Sequence, residues 1–228
     1  MENISLRAKK SLVATTRLQK ALLWFGIVSI AWYVALNILM PLKYPGYSTL
    51  SHTVSELSAI DAPTRSLWVI LCIPFSLFTI AFGIGIWLAA DNVKKLQIVA
   101  SVVILDAVIG LFWPPMHRRE IIAAGGGTLT DTLHIVWTFI HLVFVFLMIW
   151  VGAAALGTAF RIYSFITVLT FIVFGILTAR ESPGMEAGVP TPYLGLWERI
   201  NMAAYMLWIV VFAITLLARE RSRNANNH

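Results

Sequence analysis

Six long apolar runs fill most of this chain, at residues 21–40, 67–90, 96–113, 132–156, 163–179 and 196–218. A membrane-spanning helix needs about 20 mainly apolar residues, with a range of roughly 17–25. All six runs meet that length. Inside lipid only helices or closed barrels satisfy the backbone, and unbroken runs of this kind are helices. Only 12% of the 228 residues are charged, about half the share usual in soluble domains. A water-exposed globule is therefore excluded. The expectation is an all-α, integral membrane bundle of six transmembrane helices. It divides into a basic N-terminal segment at 1–20, the membrane domain at 21–218 and a basic tail at 219–228. The first run follows twenty polar and basic residues and has no small-residue cleavage site after it, so it reads as a retained helix and not a signal peptide.

Charge sets the orientation. Both tails and the second and fourth loops carry Arg7, Lys9, Lys10, Arg17, Lys20, Lys94, Lys95, Arg161, Arg219, Arg221 and Arg223, which makes eleven. The opposite side carries Lys43, Arg65, Arg118, Arg119, Arg180 and Arg199, which makes six. The positive-inside rule then puts both termini in the cytoplasm. Trp24, Trp87 and Trp150 mark inner helix ends and Trp68, Trp113 and Trp197 mark outer ends, as an aromatic belt would. Residues 4–20 mix aliphatic and basic side chains. They suit either an amphipathic helix on the anionic leaflet or a disordered positive tail that only sets topology.

The net charge of +6 is split among short loops and tails, with no basic stripe interleaved with aromatics. Nucleic acid is therefore not an expected partner; the lipid bilayer is. The single cysteine, Cys72, lies in an apolar run and reads as an inert buried thiol.

The inner loops are short and the outer loops long, at 41–66, 114–131 and 180–195. The first outer loop holds a Pro45-Gly46 turn signal. Leu50, Val54 and Leu57 follow at helical spacing opposite Ser51, Ser55 and Ser58, which predicts a short re-entrant or interfacial helix. Thr53 and Glu56 match a capping box. Asp61 before Ala62-Pro63 suits the N-cap of the second span. The glycines at 125–127 read as a hinge ahead of the fourth span.

Asp106 in the third run and His141 in the fourth are ionisable residues within spans, which are functional-site candidates by default. By helix rise they lie about 10 Å in from Trp113 and about 13 Å in from Thr132, at similar depth, and a buried pair is expected. Asp131, His134, Thr138 and His141 fall within about 80° of one another on the fourth helix. Such a stripe must face protein or water. Asn37, Asn201 and Tyr205 lie in the outer halves of their helices and would close the same cavity, with Glu198 and Arg199 at its rim.

Three chemistries suit such a cavity. A zinc centre would draw on His52 and Glu56, with His134, Asp131 and His117 adding ligands. Nucleophilic chemistry would use Ser55 or Ser58 activated by His134 or His52. A proton path would run through Asp131, His134, His141 and Asp106. A purely structural role for these groups stands beside all three. Haem is not expected, because bis-histidine ligation needs histidines on two facing spans and only the fourth has any. Arg118 and Arg119 would grip a lipid phosphate at the outer interface.

Several segments resemble the domain of unknown function 998 family of prokaryotic membrane proteins. They are YPGYS at 44–48, SELSAIDAPTRSL at 55–67, the proline-containing end of the third run, the histidine opening the fourth, and GLWERI at 195–200. The resemblance runs from about Tyr44 to Ala218 and implies a multi-pass protein of the cytoplasmic membrane. It implies that Ser55, Glu56, Leu57, Ser58, Ala62, Pro63, His134, Glu198 and Arg199 are the family's pattern positions. The chain departs at Asp61, where the family carries glycine, and at 113–116, where an aromatic-proline pair followed by an acid is expected. The family has no established activity.

The expected function is binding or hydrolysis of a lipid headgroup or small molecule in an outward-facing pocket lined by Glu56, Asp131, His134, His141 and Asp106. Proton-coupled transport, or a structural role beside another membrane protein, are the alternatives. The short inner loops argue against alternating access.

Overall fold

The computed structural model describes residues 2–226, with side chains from Arg17 to Arg223. Its helices are α1 (Glu2–Leu39), α2 (Arg65–Ala89), α3 (Lys94–Ile109), α4 (Arg119–Ala123), α5 (Leu129–Ala155), α6 (Thr158–Glu181), α7 (Pro183–Glu186) and α8 (Leu194–Asn226). Six helical segments are long and apolar enough to cross a membrane: Arg17–Lys43, Arg65–Ala89, Lys94–Phe112, Leu129–Ala155, Thr158–Glu186 and Leu194–Arg223. Each contains most or all of one expected apolar run, so the chain is a multi-pass membrane protein. The backbone of the N-terminal segment continues α1 as helix. Side chains 1–16, on which its expected amphipathic character depends, lie outside the described residues.

Local chemistry sets the boundaries. α3 relaxes into a 3-10 turn, Gly110–Phe112, and Trp113 turns extended before Pro114, as residues before proline must. α5 begins with a capping box: the Asp131 carboxylate accepts the Thr128 N–H at 2.8 Å, and the Thr128 hydroxyl takes the Thr130 N–H. The fourth loop, expected to reach residue 162, is only the link between Ala155 and Thr158, because Gly157 caps α6 and Arg161 already sits in its first turn.

The two ends of the bundle are built differently. One gathers the end of α2, the start of α3 and the end of α8, where Arg223 pairs with Asp91 at 2.6 Å; this is called the termini end. Its core stacks Trp208 on Phe212 with ring centroids 5.0 Å apart, and Phe160 and Phe82 pack around them. Trp208 donates its indole N–H to the Ser164 hydroxyl at 2.9 Å. Glycine allows the closest helix approaches: a Cβ on Gly85 would lie 2.8 Å from the backbone of α1, and one on Gly152 would lie 2.8 Å from the Trp208 ring.

Toward the other end, the cap end, α5 stays against α3 but draws away from α6 and α8. Four of its five buried residues, Val145, Met148, Ile149 and Gly152, lie in the half nearer the termini end; His134 is the exception. The buried residues of α6 are Phe160, Ser164 and Thr167, again in that half. On α8 no residue between 196 and 207 is buried. A cleft therefore opens between α5 on one side and α6 with α8 on the other. The short helices α4 and α7 adjoin over its end.

The cap itself is loop structure. Val54–Ser58 forms a 3-10 helix with Val54 and Leu57 buried. Leu50 stands half exposed, so the expected helical face does not extend back to it. Ile60 donates to the Met116 carbonyl at 2.7 Å and Leu196 to that of Leu50 at 2.9 Å, which ties three loops together. Asp61 does not cap α2: the helix starts at Arg65 after Thr64, and Asp61 adopts a left-handed φ of 63°. This is the position where the family resemblance expects glycine, and aspartate is one of the few other residues that tolerate that conformation.

Candidate functional site

The polar candidates fall into separate groups, not one lining. The first is a buried ion pair. Glu56 is 2% exposed. Its carboxylate accepts the Thr53 N–H at 2.7 Å, completing that side of the predicted capping box. Arg119 reaches it in a fork, Nε to Oε1 at 2.5 Å and Nη2 to Oε2 at 2.7 Å. Arg119 also donates to the Ser51 carbonyl at 2.8 Å and the Thr191 hydroxyl at 3.1 Å. Burial works against its charge, but the bonded Glu56 carboxylate outweighs this and holds the guanidinium above its ordinary value. With its fork occupied, Arg119 is a brace across three loops, not the free phosphate grip that its neighbourhood in sequence suggested. Arg118 lies over the Tyr44 ring at 5.9 Å and near Glu120.

The second group anchors the start of α8. Glu198 accepts the Val54 N–H at 2.6 Å. Arg199 donates to the carbonyls of Thr49, His52 and Gly195, and its Nη2 lies 2.5 Å from the Tyr47 hydroxyl. Gly195 packs directly against the His52 carbonyl, where any Cβ would collide. GLWERI is thus a docking motif for the first loop. Asn37 donates to the Tyr33 carbonyl one turn back at 3.0 Å.

The third group is His117 with Asp131, Nδ1 to Oδ2 at 2.8 Å, with the His117 N–H on Oδ1 at 2.6 Å. Asp131 therefore caps α5 and holds the 113–120 loop at once.

The fourth group has the geometry of a base and a nucleophile. His134 Nε2 lies 3.0 Å from the Ser55 hydroxyl, and Nδ1 lies 2.7 Å from the Pro114 carbonyl. A carbonyl only accepts, so Nδ1 carries a hydrogen. In the neutral ring Nε2 is then a bare lone pair facing Ser55 Oγ–H. Ser58 donates elsewhere, to the Ser55 carbonyl at 2.9 Å.

The fifth group is inside the bundle. His141 Nδ1 lies 2.7 Å from Asp106 Oδ1, the pair that equal helix depth predicted. The Trp137 ring stacks on His141 at 5.5 Å, and Tyr205 meets it edge-on at 6.3 Å. Asn201, one turn from Tyr205, buries a side-chain oxygen without a partner.

His52 stands apart from His134. Its Nδ1 takes the Ser48 N–H at 3.1 Å, and burial pushes its pKa below the ordinary histidine value against the pull of the Glu56 carboxylate. Among the described residues no three histidine, cysteine or acidic side chains converge to hold a metal ion. Of the ligand set expected, Glu56, His134 and the Asp131–His117 pair lie in three different groups, and His52 lies outside them.

The family model described as "Protein of unknown function (DUF998)" matches residues 27–215. The chain belongs to this family. Comparison with curated proteins and with solved structures gives no match. The DUF998 match spans all five polar groups and both walls of the cleft. Of the residues that build them, sequence reasoning overlooked the Pro114 carbonyl and Thr191. It also overlooked Glu181, which accepts the Tyr193 N–H at 3.1 Å and the Trp197 indole at 3.0 Å. Glu181 closely precedes Pro183-Gly184, and an acid beside a turn signal was the available hint. A backbone carbonyl leaves no such trace.

Proposed function

We propose that this DUF998 protein is a serine hydrolase of the outer leaflet, with Ser55 as nucleophile and His134 as general base. The observation that supports it is the oriented imidazole: Nδ1 held by the Pro114 carbonyl and Nε2 at 3.0 Å from Ser55 Oγ. The asymmetry of basic residues supports placing the cap end outside and both termini in the cytoplasm. The substrate is a membrane ester or a small ester that reaches the cap. Ser55 Oγ attacks the ester carbonyl carbon while its proton passes to His134 Nε2. That proton then goes to the departing alkoxide, and water enters by the same base to release the acid and restore Ser55. Glu56, Arg119, Glu198 and Arg199 act as positioning residues, because they hold the 51–58 segment against α4 and α8.

A fluorophosphonate probe tests this on the purified full chain. In the wild type Ser55 Oγ is expected to attack the probe's phosphorus and expel fluoride, leaving Ser55 labelled, with Ser55→Ala unlabelled and His134→Gln slowed about 100-fold or more. A folded wild type that does not label, or a Ser55→Ala variant that labels equally, would sink the assignment. Leu50→Cys, at an exposed cap position in a chain whose only other cysteine is buried, tests orientation with an impermeant maleimide on intact cells. Protection from the reagent would reverse the topology.

A further inference from the structure

The cleft between α5 and the α6–α8 pair ends at a polar group that the hydrolase reading does not use. His141 lies about 13 Å along α5 from Thr132, well inside the hydrocarbon layer. Its side chain is 36% exposed, while its partner carboxylate on Asp106 is 9% exposed. No described residue bonds Nε2. An ionisable side chain at that depth is costly unless something polar meets it.

The proton arrangement follows from charge. A bare carboxylate beside a neutral imidazole would leave one net negative charge in low dielectric, the costliest choice. Two electroneutral choices exist: carboxylate with imidazolium, or carboxylic acid with neutral imidazole. In the first, both ring nitrogens carry hydrogen. In the second, no described acceptor meets Asp106 Oδ2, so the acid's hydrogen lies on Oδ1 and donates to Nδ1, and the ring's own hydrogen sits on Nε2. Either way Nε2 presents an N–H to the cleft. The aromatic faces of Trp137 and Tyr205 flank it.

We infer that this intramembrane cleft binds a neutral, membrane-soluble carbonyl compound, whose carbonyl oxygen accepts the His141 Nε2–H while its apolar body lies along α5. Thr138, three residues nearer the cap end on the same face of α5, is exposed and continues the opening outward. Binding here does not require Ser55 to react. The carbonyl could belong to an acyl ester or to a ring ketone, and two probes separate these sources: radiolabelled dioleoylglycerol and decylubiquinone.

Saturable binding of each probe is measured on the full-length chain in detergent. The comparison variants are Asp106→Leu/His141→Leu, which removes the polar pair without stranding a charge, Thr138→Phe, which fills the opening beside His141 on the same helix face and leaves the pair intact, and Ser55→Ala. At least one probe is expected to bind the wild type and Ser55→Ala alike. Affinity should fall about tenfold or more in both cleft variants, the loss of one strong hydrogen bond or its space. Binding of dioleoylglycerol alone identifies an acyl ester and of decylubiquinone alone a ring carbonyl. Absence of saturable binding to the folded wild type, or undiminished binding by Thr138→Phe, overturns the inference.

Discussion

The two ends of this bundle solve one problem by different means. At the termini end the helices close on a dry core in which Trp208, Phe212 and Phe82 are 0% exposed. At the cap end loops must be fixed against helices that diverge, and buried ions do it: Glu56 with Arg119, Glu198 on Val54, Arg199 on three carbonyls. Apolar contacts hold close-packed helices because glycine lets them approach. Loop backbone carries unsatisfied donors and acceptors that only polar groups can complete. The closed end therefore supplies rigidity, and the open end supplies the cleft and the reactive geometry.

Substitutions at the two ends sharpen that contrast. Trp208→Ala empties the centre of the dry core and is expected to cost about 4 kcal/mol in denaturant unfolding. A cost under about 1 kcal/mol would mean that the core collapses to refill. Glu56→Ala leaves the partly buried Arg119 without its partner and should cost about 2 kcal/mol, much of it regained in Glu56→Ala/Arg119→Leu. If the double variant is no better than the single, the cap is not held by charge pairing. Thr64→Val deletes the hydroxyl that donates to the Leu57 carbonyl at 2.7 Å and should cost about 1 kcal/mol at nearly constant volume.

Acid offers a gentler probe of the cap. His52 has its pKa lowered by burial. The unfolded chain therefore binds the proton first as pH falls through about 6.5, and stability is lost in the window between that value and the lower folded one. Thermal midpoints of the wild type should drop over that window more than those of His52→Gln; equal slopes would remove His52 from the acid response. Least of all, Arg223→Ala at the exposed Asp91 pair should change stability by well under about 1 kcal/mol, and less still in high salt.

Much of the fold was readable without coordinates. A span needs a long apolar run, and each of the six runs lies largely or wholly within one. Helix rise alone predicted that Asp106 and His141 meet, because two antiparallel neighbours compare depth directly. Boundaries moved where caps overrode hydropathy, as when Gly157 started α6 earlier than its apolar run. Leu50, Val54 and Leu57 showed helical spacing, yet the helix they suggested is a 3-10 piece that omits Leu50.

The site was legible as a set of residue types but not as partnerships. His134 could have served Ser55, Ser58, a metal or a proton path. Its choice of Ser55, 79 residues away, depends on how the first loop sits over α5, and its tautomer depends on a backbone carbonyl of Pro114. Composition and hydrophobic run length by themselves determined the membrane class and the number of spans, because hydrophobic length is a property of the local chain, and short motifs carried the family resemblance. Tertiary structure alone decided that the polar candidates fall into five separate groups, that α5 parts from α8, and that His141 stands partly exposed. Those outcomes turn on distances between segments far apart in the chain, and loop docking and helix splay set such distances where no local pattern records them.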